Sequence, residues 1–236
     1  MNAFASTVHW LRSTRLFGFF GRYIARLLRK ARIGVSYYNQ PERSKIVELI
    51  GKVKDETELL LSTNEAFLVY SCAQETMKID GDIAEVGVYN GGSARLICEA
   101  KGKRPLHLFD TFKGIPEVGR LDKFKKGEYS GSKEWVEKYL KDYPGIAIFE
   151  GIFPDTGKAV EDRRFSMAHL DVDTYKGTAE CLKFFYPRMN VGGMILVHDY
   201  INAEGVKKAV DEFFVNKPEP VIKTGDSYAL IVKVKP

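Results

Sequence analysis

The sequence predicts an α/β fold in which helices cover both faces of a mostly parallel β-sheet. Short apolar and β-branched runs alternate with helical patterns over residues 82–214, and glycine or polar residues follow each of the first five runs. Strands that are apolar on both faces are typical of parallel sheets covered by helices. With 236 residues, the chain suits one compact domain with a modest extension.

The individual elements are predicted in order along residues 58–234. A helical pattern of apolar residues comes first, at 58–77. Short apolar runs predict strands at 82–88, 106–109, 146–149, 167–170 and 194–197, with a terminal pair at 221–224 and 228–234. Helical spacing predicts helices at 93–100, 132–141, 178–185 and 204–214, and Ser132 is placed as the N-cap of the second of these.

Residues 113–131 are a long irregular stretch that is rich in Lys and Gly. Long segments without secondary structure are uncommon in compact domains and are often functional. We therefore predict that residues 113–131 form a mobile lid over a binding site.

Glycine and polar residues follow the first five predicted strands at their carboxyl ends. They are Asn90-Gly91-Gly92, Asp110, Glu150-Gly151, the pair Asp171 and Asp173, and His198-Asp199. Parallel α/β sheets bind ligands at the carboxyl ends of their strands, near the point where the strand order reverses. We therefore predict that these residues share one crevice.

The segment 85–93 ends a predicted strand and opens a helix. Glycines there allow a ligand to approach the backbone, and the first N–H groups of the helix attract an anion. Tyr89 stands where a dinucleotide fingerprint needs its second glycine, and the Gly-Lys of a P-loop is absent, so a carboxylate fits better than a pyrophosphate. Asp110 is placed to accept hydrogen bonds from two ribose hydroxyls. The alternative interpretation is a tight turn with an aspartate of no functional role.

Basic residues are concentrated in the N-terminal part of the chain. Residues 1–56 contain 11 Lys and Arg against 4 Asp and Glu, whereas residues 57–236 contain 25 against 27. We accordingly predict a basic arm with a helical extension at 1–56 and the α/β domain at 57–236. Because the domain is nearly neutral, we predict no nucleic-acid partner.

Residues 10–31 of the arm predict an amphipathic helix, with arginines on one side and bulky apolar residues on the other. Such a helix suits a membrane interface, with its cations on anionic headgroups, so residues 10–31 are a candidate for peripheral membrane contact. Two other interpretations stay open: packing on the domain or on a second subunit, and an organelle transit peptide.

Cysteine usage and hydropathy exclude several classes of protein. Cys72, Cys98 and Cys181 have no C-x-x-C spacing, which argues against a disulfide framework and against a zinc knuckle. No apolar run approaches the length of a transmembrane helix. We expect a cytoplasmic homo-oligomer, with the inner membrane surface as the place of any peripheral contact.

Four motifs follow one another in the domain. They are residues 81–93 (GDIAEVGVYNGGS), 109–116 (FDTFKGIP), 170–175 (LDVDTY) and 186–200, which ends in His198-Asp199-Tyr200. In this order and spacing they resemble the TylF/MycF (macrocin O-methyltransferase) family of class I S-adenosylmethionine-dependent enzymes, over about residues 57–215. The resemblance implies a Rossmann-like class I methyltransferase fold, with a mostly parallel seven-stranded sheet and a C-terminal antiparallel strand.

The resemblance also implies which residues bind S-adenosylmethionine. Those expected around its methionine part are Glu85, Gly87, Tyr89, Gly91 and Ser93. Asp110 would hold the ribose, with Thr111 and Phe112 beside it. Those expected near the adenine are Ser132, Gly151, Ile152 and Phe153. Asp171 completes the expected cofactor-binding set.

A divalent cation, Mg²⁺ or Mn²⁺, is implied in the same way, with Asp171, His198 and Asp199 as its ligands. Macrolide-modifying members resemble Asp-Asp-Tyr at the last motif, whereas this chain has histidine at the first position. Imidazole shifts the preference toward softer ions, so the identity of the metal and the need for it stay open. The simpler interpretations are that Asp171 and Asp173 cap a helix and that His198 is a hydrogen-bonded histidine at a strand end.

The activity expected from this resemblance is transfer of a methyl group to a sugar hydroxyl of a glycan or a glycosylated natural product. The protein must align the hydroxyl with the methyl group and help it to lose its proton. A bound cation would lower the pKa of that hydroxyl. We predict Asp171 and His198 as the catalytic residues, with Asp171 as the proton acceptor and Asp173 as its partner or a further ligand. The partner molecule is a small-molecule or glycan acceptor.

Three rival hypotheses remain. Asp171-Val172-Asp173 matches the D-x-D pair with which many glycosyltransferases hold a metal and a nucleotide-sugar, but the glycine loop and Asp110 have no role in that hypothesis. A second is a membrane-docked binding module that has lost its chemistry. A third is a methyltransferase that needs no metal, acting on another small molecule or on RNA.

Overall fold

The computed structural model describes residues 40–235, which contain a seven-stranded β-sheet. The strands are β1 (Asp82–Val86), β2 (Leu106–Asp110), β3 (Ile146–Glu150), β4 (Phe165–Leu170), β5 (Met189–Val197), β6 (Ile222–Lys223) and β7 (Ala229–Val232). The helices are α1 (Pro41–Glu56), α2 (Thr63–Glu75), α3 (Gly92–Ala100), α4 (Lys133–Tyr139), α5 (Tyr175–Phe185) and α6 (Glu204–Phe214). Short 3₁₀ helices are formed by Thr76–Lys78, Thr156–Val160 and Tyr186–Arg188.

The chain divides into two compact units, Met1–Val47 and Glu48–Pro236. Of the first unit the structure describes residues 40–47, most of which belong to the beginning of α1. The amphipathic helix predicted at 10–31 lies outside the described residues. The second unit contains the rest of α1, the sheet and the other helices.

The strand order of the sheet is β3-β2-β1-β4-β5-β7-β6. Strands β1 to β5 are paired in parallel, whereas β7 is antiparallel to both β5 and β6. This arrangement confirms the predicted mostly parallel sheet with an antiparallel strand near the C-terminus. The order reverses between β1 and β4, which is the place where such sheets bind ligands.

The central strands of the sheet are buried, as the apolar runs in the sequence predict. All six residues of β4 are buried, and four of the five residues of β1 are buried. On one face, Phe165 packs edge-on against Phe185 of α5, with ring centroids 5.1 Å apart. Burying one such side chain stabilises the fold by about 1.5–3 kcal/mol. This core holds the strand ends in fixed positions.

Two helices begin at residues other than predicted, and side-chain caps explain both. Helix α2 begins at Thr63, not near residue 58, because Ser62 and Glu65 form a reciprocal capping box. Helix α5 begins at Tyr175, before residue 178, because the hydroxyl of Thr174 accepts a hydrogen bond from the N–H of Gly177. The predicted N-cap Ser132 is confirmed, since its hydroxyl accepts a hydrogen bond from the N–H of Trp135.

Within residues 40–235, none of the helices is both long and apolar enough to cross a membrane. Cys72, Cys98 and Cys181 are buried and carry free thiols.

Candidate active site

A cavity of about 1020 Å³ lies at the carboxyl ends of β1, β2, β4 and β5. Its lining combines the loops that follow these strands with residues of the predicted lid, among them Ile115, Phe124 and Tyr129. Small-molecule sites usually enclose roughly 300–1,000 Å³, so this cavity has room for a large ligand or for two smaller ones. The predicted crevice at the strand ends is therefore present.

The glycine loop after β1 is held in a conformation that requires Gly87. This residue has φ +89°, and a Cβ atom there would lie 1.8 Å from the backbone oxygen of Asp171. Tyr89 also has a positive φ of 50°, although it is not a glycine. Such strain is common at functional sites, where the surrounding structure fixes it.

The carboxylate of Asp110 fixes this loop from the end of β2. Its Oδ2 accepts hydrogen bonds from the N–H groups of Val88 at 2.6 Å and Tyr89 at 2.8 Å, and its Oδ1 accepts one from Phe112 at 2.7 Å. Burial raises the pKa of Asp110 above its ordinary value, although the three N–H groups oppose this. A carboxylate has about four lone-pair sites, so Asp110 keeps capacity for about one further bond, and its contact with a ribose stays a prediction.

The start of α3 has no side-chain cap. Its N-cap is Gly91, with φ +79°. The first N–H groups of α3 therefore keep their capacity to bind a ligand carboxylate, which the positive end of the helix dipole also favours.

The structure brings together most of the predicted cofactor residues. Those that line the cavity are Gly87, Tyr89, Asp110, Thr111, Gly151, Ile152, Phe153 and Asp171. Those that do not are Glu85, Gly91, Ser93, Phe112 and Ser132. Glu85 is fully buried, with Oε1 2.8 Å from Nδ1 of His169, because it faces its neighbour on β4 within the sheet. Ser132 is occupied as the cap of α4, and its hydroxyl also donates to Glu134.

The acidic end of the cavity is formed after β4 and β5, with His198 at its centre. Nδ1 of His198 lies 2.9 Å from Oδ1 of Asp171 and 3.9 Å from Oδ1 of Asp199. Nε2 of the same ring lies 3.5 Å from Oε1 of Glu65, which comes from α2. Three carboxylates thus surround one imidazole.

This arrangement fixes the charges of the two central groups. Burial alone would lower the pKa of His198, but Asp171, Glu65 and Asp199 raise it to about 11. Burial alone would raise the pKa of Asp171, but His198 lowers it below its ordinary value. The two groups therefore favour an imidazolium paired with a carboxylate.

Asp173 differs from its neighbours in its charge state. Burial, together with the charges of Asp171 and Asp199, raises the pKa of Asp173 to about 8. It also has a positive φ of 62°, in the loop between β4 and α5. A carboxyl group with a pKa near neutrality is suited to proton transfer.

The predicted ligands Asp171, His198 and Asp199 do not fit a metal ion in this arrangement. Among residues 40–235, no group of three or more His, Cys, Asp or Glu side chains could hold a metal. The physical reason is the histidine: a ligating imidazole needs a nitrogen lone pair directed at the metal, whereas both ring nitrogens of His198 lie against carboxylates, Nδ1 at 2.9 Å from Asp171 and Nε2 at 3.5 Å from Glu65. We therefore derive no step through a metal.

Residues of the predicted lid cover the cavity. The two ends of the lid are joined by backbone bonds, from the N–H of Ile115 to the oxygen of Glu128 and from the N–H of Gly127 to the oxygen of Ile115, each 2.9 Å. Lys176 of α5 forms a salt bridge of 2.6 Å with Glu117 of the lid. Gly131 lies against the glycine loop, since a Cβ there would be 2.4 Å from the backbone oxygen of Tyr89.

Sequence reasoning missed Glu65 and Tyr129, which both line the cavity. Burial would raise the pKa of Glu65, but hydrogen bonds with His198 and Ser62 lower it to about 2. The pattern Ser62-x-x-Glu65 is a capping-box signature that could have placed Glu65 at a helix start. Nothing local in the sequence shows that this helix start meets β5.

The chain matches a known protein family. The family described as macrocin-O-methyltransferase (TylF) matches residues 69–224. This range contains all four motifs in full.

Two relatives of known activity align with the same region. Demethyldecarbamoylnovobiocin O-methyltransferase of Streptomyces niveus is 26% identical over 166 residues, which cover 61% of this chain and 63% of that protein. The 8-demethyl-8-(2,3-dimethoxy-α-L-rhamnosyl)-tetracenomycin-C 4′-O-methyltransferase of Streptomyces olivaceus is 30% identical over 140 residues, which cover 52% of this chain and 54% of that protein. The chain thus spans less than two thirds of the length of these relatives.

A solved structure shares the fold. The O-methyltransferase NovP superposes with a TM-score of 0.66 and 23% identity, covering 76% of this chain and 83% of that one. The predicted class I methyltransferase fold is confirmed by this similarity together with the strand order.

Proposed function

Because the chain belongs to the macrocin O-methyltransferase (TylF) family, we propose that it is an S-adenosylmethionine-dependent O-methyltransferase that acts on a sugar hydroxyl of a glycan or a glycosylated natural product. The observation that carries the proposal is that one cavity contains both the glycine loop with Asp110 and the acidic end with Asp171 and Asp173. A methyl donor and its acceptor need to meet in such a shared space.

The residues at the glycine-loop end fit the cofactor. Asp110 has capacity for one more hydrogen bond, which suits a ribose hydroxyl, and the uncapped start of α3 suits the methionine carboxylate. Gly151, Ile152 and Phe153 line the cavity next to this end and are proposed to contact the adenine. When bound, S-adenosylmethionine supplies a methyl carbon whose bond to sulfur breaks, with the electron pair staying on sulfur, as the new bond to the acceptor oxygen forms.

At the other end, the acidic residues are proposed to bind the acceptor hydroxyl and to remove its proton. Asp171 stays ionised beside His198, so it can accept a hydrogen bond that orients the hydroxyl. Because its pKa is lowered, the carboxylate of Asp171 is a weak base. We therefore assign the role of proton acceptor to the carboxylate of Asp173, whose pKa of about 8 lies closer to neutral pH. His198 is assigned the role of a positioning residue that holds Asp171.

The acceptor class is supported by the lid and by one relative. Phe124 and Tyr129 pack edge-on at 5.5 Å and line the cavity, so they offer apolar surface beside the polar acidic end. A sugar presents both apolar C–H and polar hydroxyl surface and suits such a lining. The relative from Streptomyces olivaceus is named for methylation of a rhamnosyl group.

Family membership argues against the glycosyltransferase alternative, which leaves the glycine loop without a role. It also argues against a binding module without chemistry. Membrane contact through residues 10–31, a cytoplasmic location and a homo-oligomeric state stay predictions.

The proposal is tested by calorimetry with S-adenosylhomocysteine and by release of that product from a panel of glycosides and nucleotide-sugars. Asp110→Asn is expected to weaken cofactor binding at least about tenfold, because a hydrogen bond to a charged group is lost. Asp171→Asn is expected to abolish turnover while cofactor binding stays within about twofold, since it lies at the acceptor end. Asp142→Asn, an exposed position outside the cavity, is the control. If the wild-type protein does not bind S-adenosylhomocysteine, the proposal fails.

A further inference from the structure

Two of the three carboxylates around His198, those of Glu65 and Asp199, accept hydrogen bonds from other groups of the protein. Oε2 of Glu65 accepts a hydrogen bond of 2.8 Å from the N–H of Ser62, and Oε1 accepts one of 3.2 Å from the N–H of Ser227. Oδ1 of Asp199 accepts from the hydroxyl of Ser227 at 3.2 Å and from the amide of Asn202 at 3.4 Å. These oxygens, which a cation would need as ligands, are directed at protein N–H and O–H groups.

The imidazole of His198 is also held in place by its own packing. Its ring lies 4.9 Å from the ring of Tyr228, centroid to centroid. The hydroxyl of Tyr228 forms a hydrogen bond of 2.7 Å with Nε2 of His169, and Nδ1 of His169 is 2.8 Å from Oε1 of Glu85. Tyr228, His169 and Glu85 are fully buried, so His198 rests on a rigid polar layer.

We propose that the imidazole of His198 takes the place of a divalent cation in this chain, so that the methyl transfer proposed above proceeds without a metal. The inference concerns the same site and therefore rests on the proposed function. It is carried by the three carboxylates within 4 Å of the two ring nitrogens and by the internal donors that bind oxygens of Glu65 and Asp199. The positive charge that keeps Asp171 ionised then comes from the protein and not from a bound ion.

Having an imidazolium in place of a metal ion has a chemical consequence for the acceptor. A metal would bind the hydroxyl oxygen directly and lower its pKa, whereas an imidazolium can only hold the carboxylate that the hydroxyl contacts. The proton must therefore leave to a carboxylate of the chain during the transfer, and a single hydroxyl is sufficient for binding. The chain should consequently accept sugars without a second hydroxyl next to the reacting one.

The test uses the full chain after dialysis against EDTA, with Mn²⁺ as the probe and electron paramagnetic resonance to measure the free ion. The wild-type protein is expected to leave added Mn²⁺ free. His198→Asp restores the Asp-Asp-Tyr sequence and removes the competing positive charge, so it is expected to bind Mn²⁺ at least about tenfold more tightly than the wild type. Adding Asp171→Asn to that variant should remove the gained site.

Turnover is measured on the same samples with EDTA and with added Mn²⁺ or Mg²⁺. Equal wild-type rates in all three conditions support the inference. Stoichiometric Mn²⁺ binding by the wild type that depends on Asp171, or turnover that stops in EDTA and returns with the metal, would overturn it. Failure of His198→Asp to gain Mn²⁺ binding would also count against it. Mn²⁺ binding is measured without cofactor, so it tests this inference separately from the proposed function. If the chain does not bind S-adenosylhomocysteine, only the proposed function is refuted.

Discussion

Oδ1 of Asp122, in the lid, accepts a hydrogen bond of 2.8 Å from the backbone N–H of Tyr175, the first residue of α5. Its Oδ2 accepts a second bond, of 2.7 Å, from the N–H of Gly119 within the lid. A carboxylate at the start of a helix is favoured by the free N–H groups and by the positive end of the dipole. Together with the salt bridge between Glu117 and Lys176, this carboxylate joins the predicted lid to α5.

Asp122→Ala is expected to loosen the lid, because it removes a charge-assisted bond worth about 1–2 kcal/mol. Hydrogen exchange of amides in residues 113–131 should become faster, and KM for the acceptor should rise more than kcat falls. Lys125→Ala, in the same lid but outside the cavity lining, is the matched control and should exchange like the wild type. Equal exchange in Asp122→Ala and Lys125→Ala would contradict this role of Asp122.

Gly205→Ala is expected to produce the same loosening from the other side of the contact. A Cβ atom at Gly205 would lie 2.2 Å from Oδ1 of Asp122. Replacing Gly with Ala inside a helix normally stabilises the helix by up to about 1 kcal/mol. The steric effect at Asp122 is expected to destabilise the contact and therefore opposes this gain. Gly51→Ala in α1, where a Cβ would meet nothing within 4 Å, is the control and should stabilise the chain. Melting temperature and lid exchange measure both effects.

The sequence predicts the strands and the residues at their ends well, because both depend on local patterns. Apolar runs define β1 to β5, and parallel strands place their carboxyl ends at one edge of the sheet. For that reason Gly87, Asp110, Asp171 and His198 are found in one cavity without knowledge of any long-range contact.

The parts that could not be predicted depend on register and on tertiary packing. Glu85 faces His169 because of the alignment of β1 with β4, and this alignment is not a local property of the sequence. Glu65 reaches His198 only because the start of α2 packs against the end of β5. The residue types indicated a metal site, but the sequence does not show that both ring nitrogens of His198 lie next to carboxylates, those of Asp171 and Glu65.

Glu65 makes the stability of the chain dependent on pH. Its pKa of about 2 in the folded state is lower than its ordinary value of 4.5, so its stabilising contribution is complete above pH 4.5 and is lost as the pH falls toward 2. Glu65→Gln should lower the free energy of unfolding at pH 7 by about 1.5–3 kcal/mol, since bonds to a charged group are lost. Between pH 7 and pH 3, this variant should lose less stability than the wild type in urea unfolding.

Glu75→Gln is the matched control for this experiment, because Glu75 ends the same helix and is exposed. It should leave the difference in stability between pH 7 and pH 3 unchanged. A Glu65→Gln variant with the same pH dependence as the wild type would show that Glu65 is not held ionised by His198.

Asp173 should control how the rate depends on pH. As the pH rises through its pKa of about 8, the neutral acid becomes the carboxylate, which alone can take the proton of the acceptor hydroxyl. The value of kcat/KM should therefore rise about tenfold per pH unit below pH 8 and level off above it. Asp173→Asn should lower kcat by about 10²- to 10⁴-fold and remove this pH dependence, while calorimetry shows unchanged binding of S-adenosylhomocysteine. If the Asp173→Asn variant keeps the wild-type pH profile, another group accepts the proton. Asp142→Asn is the control and should keep the wild-type profile, because its carboxylate takes no part in the reaction.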